Sequence, residues 1–123
     1  MSIRLNQRVV AKTADYTIST AKGDMPGTIF TNRGAGANVT FTLPMPNRAV
    51  MGHWYDFVGL VAFALNVKTA VADTMIALND NAADQVGLGT AGMQIGGVLH
   101  AVCDGTQWIV YGTAVGAAPV VAT

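Results

Sequence analysis

Residues 98–112 read VLHAVCDGTQWIVYG. Two runs rich in Val, Ile, Trp and Tyr flank Asp104, Gly105 and Thr106, and an Asp-Gly pair between such runs is the strongest short-range signal for a β-hairpin. The stretch therefore predicts two antiparallel strands, over 98–103 and 107–112. It sets the fold class, because the rest of the chain repeats the same signals at a similar spacing.

Immediately outward, Val39, Phe41 and Leu43 alternate with Thr40 and Thr42 until Pro44 and Pro46 stop the run, the period of a half-buried strand. Tyr16 and Ile18 alternate with Thr17 and Ser19, and Gly23, Pro26 and Gly27 punctuate the chain before Ile29 and Phe30. NRGAGAN at 32–38 is too rich in glycine for regular structure. In 52–67, Tyr55, Phe57, Val61, Phe63, Leu65 and Val67 share one parity, and Gly59 marks a bend or bulge. The opposite parity, with Trp54, Val58 and Leu60, is also apolar, so the sequence predicts a second covered face, under another layer or under a partner chain. The run 57–65 reads as one core strand, being too short to span a bilayer. TMIAL at 74–78 is a short strand, and NDNAADQVGLGTAG at 79–92 a long polar loop.

These signals predict an all-β chain of about eight strands in a single-domain antiparallel β-sandwich of jelly-roll type. The expected organisation is an extended N-terminal arm over 1–15, the sandwich over 16–114 and an apolar C-terminal tail over 115–123. Such a tail is best explained by packing on something.

Composition agrees with that class. The chain of 123 residues is 51% hydrophobic, holds 14 glycines and contains no glutamate, which leaves it short of strong helix formers other than Ala. Its length suits one domain, and by area scaling it can bury about two-thirds of its unfolded surface, so neither disulfides nor a structural metal is needed for folding. Seven basic residues balance seven acidic ones, which removes any global attraction to nucleic acid or to an anionic membrane. The zero is unevenly distributed: six of the seven Lys and Arg lie in residues 1–48, and five of the seven Asp follow. A single cysteine, Cys103, together with Arg4 and Arg8 where a signal peptide would be apolar, predicts a chain made and kept in a reducing cytosol.

Catalysis finds little to work with. His100 and Cys103, three apart on one strand, point to opposite faces and form no nucleophile and base pair. His53 has no second ligand at metal spacing. GAGAN at 34–38 leads into a strand rather than a helix, which rules out a dinucleotide fingerprint. Asn79, Asp80, Asn81 and Asp84 crowd oxygens into one segment but lack the alternating ligand pattern and bidentate Glu of a calcium loop. The sequence thus predicts no catalytic residue, no cofactor and no metal site.

The order of segments carries a resemblance. YTIST, then GTIFTNRGAGANVTFTLP, then WYDFVGLVAF, then TMIAL, and finally VLHAVCDGTQWIVYGTA together resemble a small β domain of bacteriophage virion proteins, over about 16–114. The matching positions are Asn32 and Gly34, Leu43 and Pro44, and Asp104, Gly105 and Trp108. Copies of that domain occur within tail-fibre and tailspike chains and as free-standing capsid decoration, or cement, proteins. The short chain looks like the free-standing kind.

The resemblance implies a structural protein on the outer capsid surface of a virion, synthesised in the host cytoplasm. It would clamp neighbouring subunits of the major capsid protein. The arm, through Arg4, Arg8 and Lys12, is then the expected capsid contact. Trp54, Val58, Leu60, Pro119, Val120 and Val121 are the expected self-association residues, in a homodimer or a homotrimer. A receptor- or carbohydrate-binding module, stacking sugars on Trp54, Tyr55 or Trp108, is the competing expectation.

Overall fold

A computed structural model of the chain describes residues 8–89, 94–113 and 119–122. Twelve strands lie among them: β1 (Val9–Ala11), β2 (Tyr16–Thr17), β3 (Ile29–Thr31), β4 (Val39–Leu43), β5 (Trp54–Val58), β6 (Leu65–Thr69), β7 (Met75–Ala77), β8 (Asp80–Ala83), β9 (Gln85–Leu88), β10 (Val98–Cys103), β11 (Trp108–Thr113) and β12 (Val120–Ala122). They form a seven-stranded sheet in the order β1-β3-β5-β10-β11-β7-β8 and a five-stranded sheet in the order β12-β9-β6-β4-β2.

From β1 to β6 the chain changes sheet with every strand. β1, β3 and β5 run parallel in one sheet while β2, β4 and β6 run parallel in the other. The C-terminal strands then join through antiparallel seams, β5 to β10 and β6 to β9. Strict alternation supplies the inner faces: Val39, Phe41 and Leu43 are buried in β4, Tyr55 and Phe57 in β5, and Leu99, Ala101 and Cys103 in β10. Rings from the two sheets meet in the core. Phe41 lies 5.3 Å from Phe30 and 5.2 Å from Phe57, centroid to centroid. Trp108 is fully buried and ties the sheets together by donating from Nε1 to the Pro44 carbonyl at 2.7 Å.

The chain is all-β with two packed sheets, as the sequence predicts. The wholly antiparallel arrangement is corrected: among the described residues five of the ten strand pairings are parallel, so the jelly-roll description gives way to two mixed sheets. Parallel pairing joins segments far apart in sequence and leaves no local turn signature.

The single strand expected over 57–65 is two strands in different sheets. The chain turns out of β5 at Gly59, which packs so close to the backbone at residue 94 that a Cβ there would stand 1.9 Å from the Gln94 carbonyl oxygen. Asn32 and Asn38 hold the crossover. Their side-chain oxygens accept from the Leu60 and Ala64 N–H groups at 2.8 and 2.9 Å.

The expected loop over 79–92 is largely structured. Leu78 and Asn79 take left-handed conformations (φ 45° and 74°) that return the chain tightly from β7 into β8, and β9 follows; residues 90–92 lie outside the described residues. The first and last described strands are woven in as well. β1 pairs with β3, and β12 pairs with β9, with Pro119 buried and Val121 packed on the core.

Candidate binding surfaces

Two surfaces remain once the core is accounted for. The first is the outer face of the seven-stranded sheet. Pairing register puts Ile29, Asp56, His100 and Tyr111 in one row across β3, β5, β10 and β11, and Trp54, Val102 and Ile109 in the row beside it. None of these side chains is fully buried, and Tyr111 is 53% exposed.

The polar members of this face satisfy one another, since His100 Nδ1 meets Asp56 Oδ1. His100 also packs between Trp54 and Tyr111, at 5.4 and 5.0 Å between ring centroids. Beside it lies a hollow of about 270 Å³ lined by Val98, His100, Tyr111, Gly112 and Thr113. The face is therefore largely apolar, ringed with aromatic edges, and its two polar side chains contact each other.

The second surface lies where β1 and β2, the edge strands of the two sheets, come together. Arg8 donates from Nη1 to the Gly23 carbonyl at 2.9 Å. The ammonium groups of Lys12 and Lys22 stand 3.9 and 4.0 Å from the centroid of the same ring, that of Tyr16. Lys22 also donates to the Thr17 carbonyl.

Beneath them Asp24 is buried. It accepts from the Tyr16 hydroxyl at 2.7 Å and from the Ser19 N–H at 2.9 Å. Burial, reinforced by that hydrogen bond and by the Asp24 charge, pushes the Tyr16 hydroxyl up to about 12. The phenol stays neutral, and its ring remains a platform for two cations.

The expected site residues divide between these surfaces. Arg8 and Lys12 are brought together, and Lys22, ten residues further along, joins them; Arg4 lies outside the described residues. Lys22 was missed because only the short 3-10 turn Thr20–Lys22 and the left-handed Gly23 that ends it fold the lysine back over Tyr16.

Trp54 and Val58 are half-buried on the outer face, and the half-buried Leu60 donates its N–H to Asn32 in the crossover beyond β5. Pro119 and Val121 are taken up by the domain's own packing, while Val120 stays 52% exposed. Tyr55 and Trp108, two of the three expected sugar platforms, are fully buried and cannot stack on a ligand. Among the described residues no three His, Cys, Asp or Glu side chains gather into a metal-binding group.

No protein-family model matches the chain, and no curated protein matches it in sequence.

Proposed function

We propose that this chain is a non-enzymatic structural protein that works by adhering to other protein surfaces, in the specific form of a capsid decoration protein. On this reading it binds the outside of a phage shell, contacts the major capsid protein through its basic edge, and meets further copies of itself through apolar surface. The observation that carries the proposal is the outer face of the seven-stranded sheet, where Trp54, Val58, Val102, Ile109 and Tyr111 surround an Asp56–His100 pair whose side chains contact each other. A largely apolar, partly exposed face of this kind is costly to leave in water and marks an interaction surface.

The reading is tested by co-sedimenting the purified chain with empty capsids of the source particle and imaging the pellet by electron microscopy. Regular density over the shell lattice is the expected result. Unbound capsids, or density confined to a tail tip, reject it.

A second reading, a carbohydrate-binding module, draws support from the outward-facing cluster of Trp54, His100 and Tyr111. The aliphatic residues around that cluster favour a protein partner over a polar saccharide. A glycan array separates the two, since selective retention of one sugar class supports the module.

A further inference from the structure

We infer that β1 is a docking edge: it takes an extended, carboxylate-bearing segment of another protein as an additional strand of the seven-stranded sheet, with Arg8, Lys12 and Lys22 pairing to that segment's acidic side chains. The inference rests on the reading above that the chain binds a protein partner, and it names the chemistry of the contact.

The backbone provides the first half of the argument. The Ile29 N–H donates to the Arg8 carbonyl at 2.8 Å, and the Lys12 N–H donates to the Thr31 carbonyl at 2.9 Å. Main-chain groups alternate sides along a strand, so those of residues 8, 10 and 12 face β3 and those of Val9 and Ala11 face away. β1 ends the strand order, and no strand among the described residues lies beyond it. Val9 is 62% exposed. An open edge of this kind is a template for strand addition, in which main-chain hydrogen bonds supply affinity and side chains supply selectivity.

The side chains provide the second half. Arg8, Lys12 and Lys22 gather on this edge, and none of them forms an ion pair among the described residues. Arg8 and Lys22 each donate one of the hydrogen bonds described above and Lys12 stands over the Tyr16 ring, whereas a guanidinium carries five donors and an ammonium three. Asp24 forms no ion pair with them among the described residues; its Oδ2 accepts from Tyr16 and Ser19 instead.

Charge then selects the occupant. A second copy paired β1 to β1 would press two basic clusters together. Three cations on a chain of zero net charge are too few for a nucleic-acid track, whose affinity grows with the number of phosphates contacted. An acidic extended polypeptide satisfies both the open main chain and the unpaired cations.

The test uses the full chain, ¹⁵N-labelled, and an acetylated hexapeptide alternating Asp and Val. The expected result is a shift of the Val9 and Ala11 amides and binding that weakens from low to physiological salt. Lys12→Gln and Lys22→Gln should each lower affinity roughly two- to fivefold, the size of an exposed ion pair.

Val9→Pro is the decisive variant. It removes an N–H that points away from β3, so it should abolish peptide binding while leaving the melting temperature in place. Absence of shifts at Val9 and Ala11, equal binding of a control hexapeptide with Lys in place of each Asp, tighter binding of oligo-dT, or full binding by Val9→Pro would each overturn the inference. So would lysine variants that aggregate yet bind peptide normally, which would make the cations mere guards of the edge. Capsids coated as well by Val9→Pro as by wild type would reject the docking edge and leave the proposed function standing; bare capsids with a peptide-binding wild-type chain would do the reverse.

Discussion

Replacing Asn32 by alanine tests how the chain is held as it passes from one sheet to the other. Asn32 is fully buried, and its Oδ1 accepts from the Leu60 N–H at 2.8 Å, while its Nδ2 reaches the Phe63 carbonyl at 3.5 Å, long enough to count for little. Asn32→Ala strands the Leu60 donor in a partly buried crossover, at a cost of about 1–3 kcal/mol. A small void adds to it, so about 2–3 kcal/mol is expected. For a chain of 123 residues the unfolding entropy is roughly 0.26 kcal/mol/K, which converts that loss into a fall in melting temperature of about 8–12 °C.

Urea denaturation followed by tryptophan fluorescence measures the loss directly, with the slope unchanged if the native fold is kept. Asn32→Asp sharpens the test, because it keeps the acceptor for Leu60 but aims a carboxylate oxygen at the Phe63 carbonyl. Burial raises that carboxyl group above its unfolded value. The variant is therefore near wild type in acid, where the group is protonated, and loses stability as pH rises. An alanine variant within about 0.5 kcal/mol of wild type, or an aspartate variant indifferent to pH, would refute the account of Asn32 as the crossover's anchor.

Tyr16 should ionise near pH 12 in an ultraviolet titration. The folded chain should lose stability as pH climbs from about 10, the ordinary tyrosine value, toward that point, and Asp24→Asn should bring the titration down. Gly112→Ala places a Cβ 2.0 Å from the Val98 carbonyl oxygen and 2.9 Å from a Leu99 methyl. It should part β10 from β11 and cost about 3 kcal/mol by chemical denaturation. Deleting residues 119–123 removes β12, buried Pro119 and half-buried Val121. Calorimetry should register a loss of about 2 kcal/mol, the scale of one buried aliphatic side chain; an unchanged melting temperature would make the segment a free tail after all.

What was legible in the sequence was local. The hairpin of β10 and β11 announces itself because Asp104 Oδ1 accepts from the N–H groups of Thr106 and Gln107, both at 2.8 Å, and Gly105 takes φ 95°. The same two hydrogen bonds hold the Asp104 carboxyl below the usual carboxylate range. β4 was legible because its threonines and apolar residues alternate without interruption.

The parallel ladders were not legible, since Phe30 meets Phe57 and Phe41 meets Val67 across more than twenty residues of chain. Nor was the break in 57–65, where an apolar run hides a change of sheet because both strands are buried on their inner faces. β8 reads as loop because an edge strand built from Asp80, Asn81 and two alanines carries little strand propensity. For the candidate site, Arg8 and Lys12 were visible as charge. Lys22 was not, because its place over Tyr16 depends on a turn that hydropathy does not encode.

The alternation of the first six strands between sheets bears on how the chain acquires its fold. Residues 9–69 wind as a coil in which each strand pairs with the one laid down two earlier, so none of these pairings closes through a short hairpin. The β10–β11 hairpin closes with little loop entropy, but β5 must find β10 across some forty residues, and β6 must find β9. Seam residues such as Phe57 and Leu99, which face each other in register, should therefore govern the folding rate. Residues at the outer edges should govern unfolding alone. A nascent chain holds the coil without its closing strands until residue 103 has emerged, and until then the inner face of β5 is an aggregation hazard that the finished molecule no longer shows.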